Sequence, residues 1–297
     1  MSSAPVHDSV FRFRAIRSRG GAIEDDPEPM VQQQFARLRF FQQTVGVGDG
    51  PVLDWGCGSG FNCRWLKDAG AAREVFGFDL SADAVELARR SFPDVPFTVA
   101  DACDPTLALR PGHWSRILSC EVLEHVPDMD AFLSNLRRHL AGDGVAFVTT
   151  PNRLVFSLGF EPSPVNKEHV KELDLRELTL LLRRHFSSVT LYGQRFRNPA
   201  LLKTWEDDVR GKIELCRKGA RWVRPPSLRE RLREHRLVNW LYQAPALRSA
   251  WKAVRWRLGG RLADLVRRPR PPYRWDDFEF VSGDLADSVW FCAVVRP

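Results

Sequence analysis

Residues 51–69, PVLDWGCGSGFNCRWLKDA, constrain the chain more than any other segment. A short apolar run ends in Asp54-Trp55-Gly56-Cys57-Gly58-Ser59-Gly60, and a helical pattern follows at 61–69. Glycines at alternate positions permit a tight turn and let a ligand approach the main chain. This is the strand–turn–helix of a nucleotide-type cofactor site. The spacing G-C-G-S-G departs from the G-x-G-x-x-G of dinucleotide turns. A carboxylate at Asp54, just before the first glycine, would repel a pyrophosphate and suits a ligand with positive charge.

The segments around this turn set the architecture. Strands are predicted at 51–55, 74–79, 96–100, 115–120 and 144–150. Helical stretches are predicted at 61–69, 82–91 and 129–140, and another helix precedes the first strand at 30–45. Ser81 is the cap signal of the second of these, and Gly142 follows the third. Such alternation predicts an α/β fold with a parallel sheet, helices on both faces and right-handed crossovers. A further helix at 174–185 leads to a strand at 187–193, and the last strand is expected at 287–296.

Two more acids stand at strand ends. Asp79 ends the second strand, where a carboxylate can accept hydrogen bonds from ribose hydroxyls. Asp101 follows the third strand and is placed to meet an adenine amino group. Any one of these alone reads better as a helix cap or a solvated loop acid. As an ordered series with Asp54 they predict S-adenosylmethionine (SAM), whose ammonium and sulfonium match the Asp54 position.

The series VLDWGCGSG, FGFDLS, VADACD, ILSCEVLEHVPD and VAFVTTPNR resembles the motifs of class I SAM-dependent methyltransferases, with most likeness to the group that contains the ubiquinone-biosynthesis O-methyltransferases. The resemblance runs from about Met30 to Tyr192 and resumes at the last strand. It implies a Rossmann-like seven-stranded sheet of order 3-2-1-4-5-7-6 with the last strand antiparallel, and a helical insertion before that strand. It also implies that Asp54, Gly56 and Gly58 hold the methionine end, Asp79 the ribose and Asp101 the adenine. Cys57, Gly60, Leu80 and Ala102, which adjoin these residues, and Cys120, at the end of the fourth strand, are counted as cofactor contacts with them. The resemblance further places an N-terminal arginine on the SAM carboxylate; Arg37 fits best and Arg39 competes.

After the fourth strand comes Glu121-Val122-Leu123-Glu124-His125. If helical, it presents Glu121, Glu124 and His125 on one face, a set able to bind a divalent cation. His169 is a candidate fourth ligand from the loop after strand five. Two subgroups of the resembled class use a Glu-x-x-Glu-His segment: the ubiquinone O-methyltransferases for Mg²⁺ beside a catechol, and small-RNA 2′-O-methyltransferases for a vicinal diol. Many relatives carry a similar segment with no metal, so the metal set stays open here. Without a metal, His125 or His169 is the candidate base, with Glu124 beside it; each His reads also as a hydrogen-bonded loop residue.

The reading is a SAM-dependent O-methyltransferase of a small-molecule or glycan hydroxyl. The alternatives are a metal-dependent RNA 2′-O-methyltransferase, an N-methyltransferase of a small natural product, and a non-catalytic SAM-binding scaffold.

The domain plan is a loose N-terminal arm at 1–29, a cofactor domain at 30–194 with 281–297, and an insertion at 195–280. Between 195 and 275 there are 22 Lys+Arg against 7 Asp+Glu, and six of the ten Trp. The rest of the chain is therefore acidic, although the whole carries +7. Three readings compete for the insertion: a helical lid, an element that meets an anionic membrane surface, and, ranked last, a nucleic-acid surface. The piece at 246–268 is a basic amphipathic helix candidate. The N-terminus lacks the apolar core of a signal peptide, no run of about 18 apolar residues occurs, and the six cysteines form no C-x-x-C pair. A cytoplasmic protein with free thiols is expected, with peripheral membrane contact through 195–280 as an option.

Overall fold

The computed structural model describes residues 29–217, except 47 and 71, and residues 274–297. The arm at 1–28 and the amphipathic helix candidate at 246–268 lie outside the described residues.

Seven α-helices and eight strands are described. The helices are α1 (Pro29–Thr44), α2 (Phe61–Asp68), α3 (Ala82–Ser91), α4 (Met129–His139), α5 (Arg153–Phe156), α6 (Leu175–His185) and α7 (Pro199–Arg217). The strands are β1 (Val52–Trp55), β2 (Val75–Asp79), β3 (Phe97–Val99), β4 (Trp114–Cys120), β5 (Leu140–Pro151), β6 (Ser188–Phe196), β7 (Phe278–Val281) and β8 (Trp290–Arg296). They form one sheet of order 3-2-1-4-5-8-6-7. The five strands from β3 to β5 pair in parallel, and β8 enters antiparallel between β5 and β6.

The sheet has the expected order, with one strand more than expected. β6 continues to Phe196, and β7 returns from the far side of the insertion to pair with Gly193–Phe196. This corrects the expectation of a helical insertion at 195–280: a four-residue edge strand (FEFV) beside charged residues carries too short an alternation to show in the sequence.

The period of two along each strand divides the core. On β1, Leu53 and Trp55 join the apolar layer under α4 and α6, with Phe132, Leu136, Leu178 and Leu182. Val52 faces the opposite layer under α1, α2 and α3, with Leu38, Phe41, Leu66 and Val85. Asp54 shares the side of Val52, so its carboxylate is directed at α2. Side-chain caps fix the helix starts: the Ser81 hydroxyl accepts from Ala84 N, Asp128 from Ala131 N, and Asp174 forms a reciprocal box with Glu177. Because β1 to β4 are parallel, Asp54, Asp79, Asp101 and Cys120 gather at one edge of the sheet, where α/β folds bind ligands.

Candidate active site

The glycine turn after β1 is held open by backbone geometry. Gly56, Gly58 and Gly60 have φ of +82°, +51° and +81°, a region other residues enter at a cost of about 1–2 kcal/mol. A Cβ at Gly56 would lie 2.6 Å from Val122 Cγ2, and one at Gly60 would lie 2.7 Å from Phe97 Cζ. A Cβ at Gly58 would meet nothing within 4 Å. Two glycines are therefore required by packing against the protein, while Gly58 keeps an open side toward any ligand. Cys57, just inside the turn, is buried, and its Sγ lies 3.7 Å from the Gly58 carbonyl.

Asp54 is fully buried. Its carboxylate accepts from Asn62 Nδ2 and Cys63 Sγ, both at 3.4 Å, in the first turn of α2. Burial, only partly offset by these bonds, pushes its pKa up to about 7. Asp79 Oδ2 accepts from the Gly58 amide at 2.8 Å and Oδ1 from the Ser81 amide at 2.9 Å. Asp101 is exposed and accepts from the Cys103 amide at 2.8 Å. Leu80 is exposed, Ala102 buried and Cys120 half-buried at the same edge.

The loop after Asp101 is tied to α4. Asn135 Nδ2 donates to the carbonyls of Ala102 and Asp104 at 2.9 and 2.8 Å. His139 Nε2 accepts from the Leu109 amide at 3.1 Å, and its Nδ1 bonds to the Asn135 carbonyl. Nδ1 therefore carries the proton. Burial holds His139 below the usual imidazole pKa, which suits that accepting role.

The two arginine candidates part company. Arg37 is buried: Nε donates to Gln194 Oε1 at 2.8 Å, Nη1 to Gln34 Oε1 at 3.3 Å, and the guanidinium lies 4.9 Å above the Trp290 ring. Its Nη2 has no hydrogen-bond partner and stands 3.6 Å from Glu121 Oε2. Arg39 lies instead over Trp275 and Phe35, at 4.8 and 5.9 Å.

The Glu-x-x-Glu-His segment is not an α-helix. Only Leu123–His125 form a 3-10 turn, and Glu121 precedes it with φ +56°. Glu121 thus leaves the expected shared face. Its Oε1 accepts from Thr149 Oγ1 at 2.9 Å, and its other oxygen faces Arg37. This corrects the four-ligand metal set: Glu121 is outside the cluster because the backbone reverses there and an arginine neutralises it.

Glu124, His125 and His169 do converge. One donor atom from each lies within 4.8 Å of the others. Glu124 Oε2 accepts from Thr150 Oγ1 at 3.0 Å. Oε1 has no hydrogen-bond partner and stands 4.0 Å from both His125 Nε2 and His169 Nε2. Complete burial, with Glu121 nearby, pushes the Glu124 carboxyl well above the usual carboxylate range. A buried oxygen without a partner costs about 1–3 kcal/mol and calls for a ligand or a chemical role.

Both rings are anchored at the other nitrogen. His125 Nδ1 bonds to the Glu168 carbonyl at 3.0 Å, and His169 Nδ1 to Glu172 Oε1 at 2.6 Å. This is the outer-shell pattern of imidazole ligands. Two imidazole nitrogens and one carboxylate suit a borderline first-row ion; Mg²⁺ prefers oxygen donors and retained water. The donor set therefore fits a divalent cation but not the Mg²⁺ expectation.

A cavity of about 390 Å³ adjoins this cluster, with Val126, Met129, Phe160, Pro162, His169 and Glu172 in its wall. Glu172, Ser157, Thr150 and Gln194 are site residues that no sequence motif marks. Of these only Glu172 carried a local signal, three residues beyond His169.

The strand order, the glycine turn and the acids at the sheet edge define a class I SAM-dependent methyltransferase fold. The chain belongs to the methyltransferase-domain family, whose model matches residues 31–254. It is 34% identical over 151 residues to a probable S-adenosylmethionine-dependent methyltransferase of Mycobacterium tuberculosis, covering 50% of this chain and 53% of that protein. It is 28% identical over 151 residues to a ubiquinone biosynthesis O-methyltransferase of Serratia proteamaculans, covering 50% and 62%. The chain thus spans little more than half the length of these curated relatives. Among solved structures, a SAM-dependent methyltransferase of Archaeoglobus fulgidus superposes with TM-score 0.52 at 15% identity, over 97% of this chain and all of that one. Phosphoethanolamine N-methyltransferase 2 of Haemonchus contortus gives 0.54 at 17% identity, over 97% and 57%. These two show the fold. Among the described residues no helix is long and apolar enough to cross a membrane.

Proposed function

We propose that the protein transfers the methyl group of SAM to a hydroxyl oxygen of a small molecule or glycan. The observation that carries the reading is the buried, unpartnered Glu124 Oε1 flanked at 4.0 Å by two imidazole nitrogens. Methyl transfer to a neutral amine needs no proton removed beforehand, whereas a hydroxyl must lose its proton as it attacks. A converging pair of imidazoles beside a buried carboxyl group is apparatus for that proton.

In this reading Arg37 Nη2 meets the SAM carboxylate, Asp79 exchanges its Gly58 bond for the ribose hydroxyls, and Asp101 lies at the adenine. Asp54 acts through its charge and through its hold on the first turn of α2. The acceptor oxygen forms its bond to the methyl carbon as the sulfonium–carbon bond breaks. S-adenosylhomocysteine leaves, and the hydroxyl proton passes to an imidazole Nε2. The protein's main contribution is to hold the oxygen in line with the methyl group. Alternatively, a divalent cation held by Glu124, His125 and His169 would occupy those nitrogens and lower the pKa of a neighbouring hydroxyl, whose proton would then pass to water.

The insertion at 195–280 is proposed to face the acceptor or an anionic surface, on the strength of its basic, Trp-rich composition. The test of the main reading is incubation with methyl-labelled SAM and paired acceptors that differ only in bearing a hydroxyl or an amine. Label on oxygen supports the reading, and label confined to nitrogen overturns it. Co-sedimentation with anionic vesicles, compared between the full chain and a variant with its Arg at 255, 257 and 261 changed to Gln, tests the surface role.

A further inference from the structure

His169 Nδ1 and Glu172 Oε1 are 2.6 Å apart, and both side chains are nearly fully buried. The other Glu172 oxygen accepts from Ser157 Oγ, also at 2.6 Å. Phe156 stacks on the His169 ring at 5.6 Å and 26°, and His125 meets it edge-on at 4.8 Å. The segment itself is docked by backbone: the amides of Val170 and Lys171 donate to the Glu124 carbonyl at 2.8 and 3.2 Å. The ring is therefore held in position, in plane and at one nitrogen.

We infer that Glu172, braced by Ser157, is a positioning residue that fixes His169 with its proton on Nδ1 and delivers an Nε2 lone pair to Glu124 and the acceptor. A carboxylate at 2.6 Å requires a donor, so the neutral ring must carry its proton there. Nε2, 4.0 Å from Glu124 Oε1, then presents only a lone pair, whether toward a proton or a cation. His125 has a weaker anchor, a backbone carbonyl at 3.0 Å. The two rings thus differ in how firmly their tautomer is set.

The inference rests on the proposed hydroxyl chemistry for its purpose, but its test does not. Long-range proton–nitrogen NMR on ring-labelled full-length protein, at a pH where His169 is neutral, reads the tautomer directly. The expected result is Nδ1–H; an Nε2–H ring in the wild-type protein overturns the inference whatever the enzyme's activity. Glu172→Gln keeps a carbonyl acceptor and is expected to retain that tautomer. Glu172→Leu is expected to mix the tautomers and lower kcat about 10–100-fold with the KM for SAM little changed. A single Nδ1–H tautomer in Glu172→Leu, with SAM binding intact, would also overturn it. Absent turnover with an Nδ1–H ring would instead count against the hydroxyl reading alone.

Discussion

The carboxylate of Asp79 accepts the amide of Gly58 at 2.8 Å, so the end of β2 latches the turn that follows β1. We propose that this carboxylate also meets the ribose hydroxyls of the cofactor. In the proposed cofactor mode the residue that latches the turn is also the one that meets the cofactor.

Gly56 and Gly58 should therefore respond differently to alanine. Gly56→Ala places a Cβ 2.6 Å from Val122 in a left-handed conformation. Strain and overpacking together predict a loss of about 2–5 kcal/mol of stability. Gly58→Ala has room and loses about 1–2 kcal/mol, a few degrees in Tm, yet should weaken SAM binding more than tenfold by crowding the ligand side. Thermal melts and calorimetry on the two variants check this; equal melting points would contradict it.

Asp54 makes stability depend on pH. Its folded-state pKa of about 7 lies above its ordinary value, so the native state binds the proton more tightly than the unfolded chain. The cost is absent below about pH 4, grows as pH rises toward 7, and is constant above that. It is on the order of 4 kcal/mol for this fully buried group. Asp54→Asn should flatten the fall in stability between pH 4 and 7 in denaturant titrations and raise stability at pH 8. The same variant should bind SAM more weakly, because it cannot offer a charge to the sulfonium.

Arg37 and Arg39 are two residues apart on α1 and should not behave alike. Arg37→Met removes the donors to Gln194 and Gln34 and the group proposed for the SAM carboxylate. Affinity for SAM should fall about 10–100-fold, with about 1–3 kcal/mol of stability lost. Arg39→Met removes only the contacts over Trp275 and Phe35 and should leave SAM affinity within a factor of two. Titration calorimetry separates the two.

The cluster makes a prediction about cations. Mn²⁺ or Zn²⁺ should bind the wild-type protein more tightly than Mg²⁺, as read by calorimetry after EDTA treatment. Glu124→Gln or His169→Ala should weaken that binding, and Glu121→Gln should change it little. Stronger binding of Mg²⁺, or its loss in Glu121→Gln, would contradict the three-donor site.

Much of this was legible in the sequence because it is local. The glycine turn, the acids at strand ends and the Ser81 cap each depend on a few neighbouring residues, and short apolar runs mark the central strands. The metal set was only partly legible. The Glu121–His125 spacing suits an α-helix, but the backbone reverses at Glu121 (φ +56°) and gives that carboxylate to Arg37 and Thr149. Nothing in the residues from 121 to 125 announces that reversal, which depends on β4 meeting β5. Glu172 went unread as the anchor of His169, because an acid three residues away is common in any loop. β7 was missed because its partner lies more than 80 residues earlier.

The most direct measurement is calorimetric titration of the full-length protein with SAM, beside Asp79→Ala. The wild-type protein is expected to show one site with a Kd in the micromolar range, weakened about 100-fold or more in the variant as two charge-assisted bonds are lost. An absence of SAM binding by the folded wild-type protein, or undiminished binding by Asp79→Ala, would contradict it.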